Sequence, residues 1–274
     1  MAQEKILYIS QEITPYLHES PLASYGNKIP QGIAEKGFEV RTFMPKYGCI
    51  NERRNQLHEV IRLSGINIVI NDNDHPLIIK VATLQPSRMQ VYFIDNDDYF
   101  FRSGAKKLET EVSPADNDER MMFFVKGVIE TVRKLRWNPS IIQCTGWISA
   151  LVPLYIRKLY ADDLSLAKAK IVYALRPERF EGTLDSNFVN KLRQLDFTDD
   201  DLKPLVGKDV DWLTLNKIAI DNSDAIIDSE PGVPQELIDY AKKSGKPYLD
   251  CPEKENQKEA YNEFYRSLLD GTDN

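Results

Sequence analysis

Residues that bind metals or form disulfide bonds are scarce in this sequence. Its 274 residues include three cysteines, Cys49, Cys144 and Cys251, which are far apart and include no CxxC pair. Such a set predicts no disulfide framework and a reduced, intracellular protein. Two of the three histidines, His58 and His75, have no chelating spacing to each other or to a cysteine. We therefore expect neither a metal site nor a cofactor.

The sequence also lacks long apolar runs and an excess of positive charge. No apolar run approaches the roughly 20 residues that cross a bilayer, and the opening "MAQEKILYIS" has no leader pattern. The net charge of −7 argues against a broad surface for nucleic acid or anionic membrane. We expect a cytoplasmic protein with neither of these partners, in which an anionic ligand would need locally placed donors.

Short apolar runs alternate with amphipathic segments along most of the chain. Residues 58–95 instead carry four strand-like runs separated by polar turns, which predicts a β-hairpin insertion whose last strand rejoins the main sheet. Alternating strands and helices predict an α/β, Rossmann-like fold, a mostly parallel sheet with helices on both faces. Further strands are predicted at 5–10, in "FEVRTFMP", and at 140–144, 170–175 and 224–228. Helices are predicted at 22–36 (with a kink or later start caused by Pro30), 116–136, 147–160, 211–221 and 233–243.

The last part of the chain reads as a charged linker followed by an amphipathic helix. We expect residues 251–274 to pack onto a domain formed by residues 1–250. Farther upstream, Thr198 followed by three aspartates predicts a helix N-cap and first turn, not a metal cluster. The docking face of the last helix is predicted from apolar residues at helical spacing, namely Tyr261, Phe264, Tyr265 and Leu268.

Six segments, in order along residues 5–240, resemble motifs of one enzyme family. The segment "KILYISQEITPY" matches the opening strand of that family and the motif E-x-x-P-[FY] after it. The segment "IPQGIAEKGFEVRTFMPKYG" matches the motif LPKALAxxGHxVRVxxPxY. YFIDxPxxFxR and DNxxRFxxFxxAxLE are matched by "VYFIDNDDYFFR" and "DNDERMMFFVKGVIE". PDIIHxHDWHxALxPxxLK and LxKxGIxxADxVxTVSP are matched by "PSIIQCTGWISALVPLYIRK" and "LNKIAIDNSDAIIDSEP". The sequence thus resembles the N-terminal domain of glycosyltransferase family 5, the bacterial glycogen synthases and plant starch synthases.

The resemblance implies one half of a two-lobed GT-B enzyme. Members of this family transfer glucose from ADP-glucose or UDP-glucose to the end of an α-1,4-glucan, with retention of configuration. The acceptor contacts largely the N-terminal lobe and the nucleotide largely the C-terminal lobe. A second lobe needs roughly 150–200 residues, whereas about 30 follow residue 243, so we expect it to be missing.

The first loop departs from the family pattern where the donor would bind. The family's K-x-G-G-L holds the sugar nucleotide with a lysine and glycine backbone. Here His18 stands for the lysine, Ser20 and Pro21 stand for the glycines, and Leu22 persists. Histidine lacks lysine's fixed charge, and proline has no N–H to offer and cannot take a positive φ. Glu19 adds a negative charge beside the expected diphosphate.

Two further motifs of the family are also changed. H-x-H-D-W-H becomes "QCTGWI" at residues 143–148, in which only the tryptophan remains, and HN-x-x-[YF]-Q-G becomes "RPERFEG" at 176–182. The imidazoles and the carboxylate of the family are therefore absent, and we predict no catalytic residue. The candidate ligand-binding residues are those at the carboxyl edge of the predicted sheet: His18, Glu19, Ser20, Thr145, Trp147, Arg176 and Arg179.

Each candidate has a structural alternative. His18 could be an ordinary surface residue. Trp147 could stack on a sugar or belong to the core. The two arginines could pair with Glu178 and Glu181 as solvated loop residues.

Three functions fit these observations. The first is a truncated, catalytically impaired homologue that binds α-1,4-glucan or assists a protein of glycogen metabolism. The second is an active glucosyltransferase that uses ADP-glucose or UDP-glucose and completes its site with a separate lobe or by self-association. The third is a repurposed module that binds a protein partner.

Overall fold

A mostly parallel sheet organises the chain, which the computed structural model describes over residues 3–101 and 116–271. Within these ranges ten strands pair in the order β10-β9-β8-β7-β1-β2-β6-β5-β3, with β4 paired to β5. The strands are β1 Lys5–Ser10, β2 Glu39–Pro45, β3 His58–Glu59, β4 Ile66–Ile70, β5 Asn73–Leu84, β6 Met89–Asp95, β7 Ile141–Thr145, β8 Lys170–Leu175, β9 Ala225–Asp228 and β10 Tyr248–Leu249. All pairs from β10 to β6 are parallel.

Helices cover both faces of this sheet, so the predicted α/β fold class is confirmed. The central strands are buried almost throughout, because parallel strands between two helical layers face apolar groups on both sides. In the described residues the helices are α1 Pro21–Glu35, α2 Asp97–Phe100, α3 Asn117–Leu135, α4 Val152–Leu159, α5 Phe188–Arg193, α6 Asp199–Leu202, α7 Trp212–Asn222, α8 Gln235–Lys243 and α9 Gln257–Asp270, with a 3-10 helix at Trp147–Ser149.

The predicted hairpin insertion lies at one edge of the sheet. Strand β5 runs antiparallel to β4 and β6, and β6 rejoins the parallel part beside β2, as predicted. Asn71 and Asp72 have φ of 51° and 61°, the left-handed conformation of a two-residue hairpin turn. The first predicted run is shorter than expected, because the chain turns immediately after Glu59 and the N–H of Leu63 bonds the carbonyl of Val60.

Helix α1 shows that the later start predicted from Pro30 is wrong, while the alternative of a kink at Pro30 stays a prediction. It begins at Pro21 and continues through Pro30. Proline removes the hydrogen bond that its nitrogen would donate to Gly26, but the buried residues Ile29 and Ile33 hold the helix on the core. Gly26 is needed for this packing, since a Cβ there would lie 2.2 Å from the carbonyl oxygen of Glu12.

The predicted helix at 147–160 is also corrected, because it forms two pieces. A 3-10 turn over Trp147–Ser149 precedes α4, and Pro153 occupies the first turn of α4, where its missing N–H needs no partner. Gly146 starts this region with φ of 83°, and a Cβ there would lie 2.7 Å from Oε1 of Gln11. The aspartates after Thr198 do form a capped helical turn, as predicted.

Helix α9 packs against α1 and reaches the sheet. Tyr261 and Tyr265 are completely buried, and the side chain of Lys258 lies on Gly32 of α1. The guanidinium of Arg266 lies 5.0 Å from the centre of the Phe38 ring. These contacts support the proposal of a domain over 1–250 with 251–274 packed on it. Residues 1–2 and 272–274 lie outside the described ranges.

Candidate functional site

The candidate site lies where the strand order reverses direction. Strand β1 has β2 on one side and β7 on the other, so the loops after β1 and β7 diverge and leave a crevice at the carboxyl edge. The loops after β8 and β9 complete the same edge. The candidate residues come from these loops, from the first turn of α1 and from the end of β7.

The first loop is organised around the N-terminus of α1. Ser20 is the N-cap residue: its Oγ accepts a hydrogen bond from the N–H of Ala23 at 2.9 Å and donates one to the buried carboxylate of Glu12 at 2.9 Å. His18 and Glu19 are exposed beside it. The hydroxyl of Ser20 is therefore committed to the fold, whereas the two preceding side chains face solvent.

The two candidates around β7 are buried. Thr145 is inaccessible to solvent at the end of β7, and Trp147 is 3% exposed. The indole packs edge-on against Phe180, with the ring centres 5.2 Å apart. Of the alternatives for Trp147, the structure therefore supports membership of the core.

Arg176 is buried, so the interpretation of the two arginines as solvated loop residues is wrong for this one. Its side chain is 1% exposed and donates two hydrogen bonds to Glu178, at 3.0 and 2.8 Å, and one to Glu230 at 3.3 Å. The guanidinium also lies 5.1 Å from the centre of the Tyr25 ring. Burial lowers the pKa of Arg176, but the hydrogen bonds and charge of Glu178 outweigh this and raise the pKa. Arg179 is exposed, as a loop residue should be.

A chain of five buried polar side chains connects α9 to the sheet. Tyr8 donates to the hydroxyl of Tyr265 at 3.1 Å, Tyr265 donates to Oε1 of Gln143, Gln143 donates to the hydroxyl of Tyr25 at 2.6 Å, and Tyr25 donates to Tyr261 at 2.8 Å. We call this set the tyrosine network. Burial raises the pKa of Tyr25 to about 12 and that of Tyr8, Tyr261 and Tyr265 well above the ordinary value. All four hydroxyls are therefore neutral donors and acceptors.

Sequence reasoning missed the tyrosine network. It treated Gln143 as the loss of a family imidazole, whereas the amide is a structural link to α9. The signal was a polar residue inside the apolar run "SIIQC", together with tyrosines spaced four residues apart in the last helix.

A groove lies between the first loop and the segment that leads into α9. It consists of two neighbouring cavities, of about 390 and 350 Å³, which share the lining residues Glu230, Lys254 and Gln257. The first cavity is also lined by Glu19, Ser20, Pro21, Ser24, Tyr25 and Lys28. The second continues along Ser229, Pro231, Cys251, Pro252, Glu253 and Glu255. Below, "the groove" means these two cavities.

Arg179 lies apart from the groove. It lines a shallow cavity of about 340 Å³ with Phe180 and the start of α7. The groove therefore brings together Glu19 and Ser20 of the candidates, with Arg176 bound to the groove residue Glu230, whereas Arg179 faces elsewhere and Trp147 is packed in the core.

Two other features of the described residues bear on function. No cluster of three or more metal-binding side chains occurs within 3–101 and 116–271. Over the same ranges, every helix is too short or too polar to cross a bilayer.

Comparison with known proteins identifies relatives over most of the chain. The family model for the starch synthase catalytic domain matches residues 5–248. Glycogen synthase of Chlorobium limicola is 38% identical over 192 residues, which cover 69% of this chain and 39% of the relative. Glycogen synthase of Chlorobium phaeovibrioides is 33% identical over 242 residues, covering 86% and 48%. The chain thus spans less than half the length of these relatives.

A solved structure shares the fold. The catalytic domain of starch synthase IV from Arabidopsis thaliana, bound to ADP and acarbose, superposes with a TM-score of 0.69 at 19% identity. The match covers 91% of this chain and 51% of the plant chain. The resemblance seen in the sequence is confirmed: this chain belongs to the starch synthase catalytic domain family, glycosyltransferase family 5.

Proposed function

We propose that this protein is a member of the starch synthase family that binds an α-1,4-glucan in glycogen metabolism and does not itself transfer glucose. The observation that carries the proposal is the commitment of Arg176 to Glu178 and Glu230 at the edge of the sheet where the family binds its substrates. The cation is already neutralised by two carboxylates of the same chain. We also propose that the protein acts in the cytoplasm.

The first loop supports the same proposal. Transfer from a sugar nucleotide leaves a diphosphate, which needs donors or cations fixed at the site before the charge develops. Here Pro21 has no N–H, the hydroxyl of Ser20 is bound to Glu12 and Ala23, and Glu19 adds a negative charge. The loop therefore repels a diphosphate where the family's lysine and glycines would attract one.

A neutral glucan does not meet these obstacles. Sugar hydroxyls donate and accept hydrogen bonds, so they can use carboxylates and ammonium groups alike. The groove offers both, with amide and hydroxyl groups beside them. A polar surface of this kind suits glucan binding better than binding of a sugar nucleotide.

The test combines a transfer assay with a binding assay on the purified chain. Radiolabelled ADP-glucose or UDP-glucose is incubated with glycogen and the protein, with the Chlorobium limicola glycogen synthase as the positive control. We expect no incorporation above the blank, and retarded migration of the protein in native gels that contain glycogen. Unretarded migration would contradict the proposal.

Two other results would favour the alternative functions. Incorporation that rises steeply with protein concentration, or appears on mixing with a separate lobe, would establish an active transferase. Absence of glycan binding combined with a stoichiometric protein partner would establish an interaction module.

A further inference from the structure

Strand β4 of the hairpin insertion forms an open outer edge. It pairs antiparallel with β5, and within residues 3–101 and 116–271 no second strand pairs with it. Helix α3 packs against β4, and Ile68 and Ile70 are buried, whereas Asn67 and Val69 are exposed. The strand therefore has one buried face, one exposed face and one lateral edge without a partner strand.

The backbone groups of Asn67 and Val69 point to this open edge. Asn67 lies opposite Pro76, which has no N–H, and the carbonyl of Pro76 accepts a hydrogen bond from Nδ2 of Asn96, just after β6. In an antiparallel pair the N–H and C=O of one residue point to the same side, and bonded pairs alternate with non-bonded ones. Asn67 and Val69 therefore turn both groups away from β5, whereas Ile68 between them bonds β5.

This edge has little protection against pairing with another chain. Charged side chains and prolines commonly prevent edge strands from associating. The sequence of β4, "INIVI", contains neither, and all of its residues except the asparagine are β-branched. Two large apolar side chains are strongly exposed here: Val69 on the strand is 51% exposed, and Ile61 in the preceding turn is 82% exposed. The composition therefore favours addition of another strand.

The same strand of a second copy fits this edge. When two copies pair antiparallel about a two-fold axis at Ile68, Asn67 of each copy lies opposite Val69 of the other. Each of these two pairs exchanges two N–H to carbonyl bonds, so the contact contains four backbone hydrogen bonds. The open edge is therefore complementary to itself in both donors and acceptors.

The charges at the two ends of β4 select the same arrangement. Arg62 is exposed before the strand, and Asp72 and Asp74 are exposed after it. An antiparallel pair brings the arginine end of each copy towards the aspartate end of the other, whereas a parallel pair would bring like charges together. Charge complementarity therefore favours the two-fold, antiparallel dimer.

We infer that the open edge of β4 is a self-association surface, through which two copies of this chain form a dimer with a sheet that continues from one β4 to the other. Because one short strand of each copy forms the contact, we expect a weak dimer that depends on protein concentration. The inference does not depend on the proposed function, since β4 lies in the hairpin insertion and not in the groove.

Sedimentation velocity over a wide range of protein concentrations tests this inference with Val69→Pro. The N–H of Val69 is not used by β5, and edge strands tolerate proline, so the variant should fold and unfold in urea like the wild type. It removes one donor from each copy, and therefore two of the four hydrogen bonds. We expect the dissociation constant of the dimer to rise at least about tenfold. The matched control is Leu164→Asn, at a 91% exposed apolar residue between α4 and β8, which should dimerise like the wild type.

Amide hydrogen exchange of the wild type tests the register of the strands without a substitution. The amides of Asn67 and Val69 should exchange several-fold more slowly in concentrated than in dilute protein, because the second copy covers them. The amides of Ile68 and Ile70 bond β5 in both states and should change much less.

Each other outcome would overturn the inference. A wild type that is monomeric at every concentration would exclude the dimer. A dimer that Val69→Pro does not weaken, or that leaves the exchange of Asn67 and Val69 unchanged, uses another surface. A monomeric wild type that binds a different protein through Val69 would show that the edge serves that partner. The exchange experiment decides alone if Val69→Pro does not fold.

Discussion

Two polar networks connect distant elements of this protein, one through neutral groups and the other through charged groups. The tyrosine network joins α9 to the sheet with four hydroxyls and one amide. At the start of α3, a second network joins the hairpin insertion to α3 and α5 through charged groups. We call this the carboxylate network; its members are Asp98, His75, Tyr99, Glu119, Lys191 and Asp118.

The geometry of the carboxylate network is as close as that of the tyrosine network. Lys191 lies 2.7 Å from a carboxylate oxygen of Asp118 and 2.7 Å from one of Glu119. Tyr99 donates to Glu119 at 3.1 Å and lies 2.9 Å from Nε2 of His75. The difference between the two networks is therefore charge, not distance.

Charge decides how each network responds to pH. Burial raises the pKa of the tyrosines, so the tyrosine network keeps its protons until the pH passes the ordinary value of 10.0. Burial also raises the pKa of Asp118 above its ordinary value of 3.8. Between 3.8 and the raised pKa the folded state binds more protons than the unfolded state, so the contribution of Asp118 to stability falls as pH rises. The contribution of the tyrosine network to stability is therefore constant over this pH range, whereas that of the carboxylate network changes.

The largest expected effect comes from removing the cation of the carboxylate network. Lys191→Met leaves the inaccessible carboxyl of Asp118 without its positive partner. We expect the free energy of unfolding to fall by about 3–5 kcal/mol near pH 8. Because Asp118 becomes neutral when protonated, the loss should be smaller near pH 4. Urea unfolding of variant and wild type at both pH values measures this difference.

A matched lysine on α3 provides the control. Lys126 pairs with Glu130, and its side chain is 29% exposed, so Lys126→Met should lower stability by at most about 1 kcal/mol. An equal loss for Lys191→Met at both pH values would contradict the role of Asp118.

A smaller effect is expected from removing one hydroxyl of the tyrosine network. Tyr265→Phe leaves Oε1 of Gln143 and the hydroxyl of Tyr8 without their partner. We expect a loss of about 1–3 kcal/mol, the penalty for a buried polar group left unsatisfied. The loss should be the same from pH 5 to pH 9, measured by urea unfolding.

Tyr240→Phe is the control for this variant. The hydroxyl of Tyr240 bonds the exposed carboxylate of Asp221, and its removal should change stability by less than about 0.5 kcal/mol. A loss for Tyr265→Phe that varies strongly between pH 5 and pH 9 would show that the network carries charge after all.

The smallest effect is expected at an exposed ion pair. Nζ of Lys242 lies 2.6 Å from Oδ1 of Asp250, but the two side chains are 49% and 79% exposed. Lys242→Ala should therefore lower the free energy of unfolding by about 0–1 kcal/mol, and added salt should abolish the difference. A loss of stability comparable to that of Lys191→Met would show that burial does not determine how much an ion pair contributes to stability.

Much of the fold could be predicted because it depends on local patterns. Apolar runs and amphipathic spacing located the strands of the parallel sheet except the two-residue β10, and also the hairpin insertion and the last helix. The errors fall where tertiary packing overrides local preference. Pro30 remains inside α1 because its neighbours are buried, and the 147–160 segment divides because Gly146 and Pro153 fix the backbone on either side of a 3-10 turn.

The candidate site was less predictable, because its geometry depends on contacts between side chains that are far apart in the sequence. Arg176 follows a buried strand, but only the fold shows that Glu230, 54 residues later, returns to meet it. Likewise, helical spacing places Tyr261 and Tyr265 on the packed face of α9, yet it does not reveal that their hydroxyls meet Tyr25 and Gln143. The groove depends on the 251–257 segment, which carries no motif of its own.

Thermal unfolding with separate ligands tests the central claim, that the substrate edge has been closed to sugar nucleotides and remains open to glucan. Maltoheptaose, ADP-glucose and UDP-glucose are each compared with the free protein. A ligand at about 100 times its dissociation constant stabilises by about 2.7 kcal/mol, and each kcal/mol raises the midpoint by about 2–4 °C in a domain of this size. We predict a rise of about 5–10 °C with maltoheptaose and none with either nucleotide. A rise with ADP-glucose or UDP-glucose, and none with maltoheptaose, would contradict the claim.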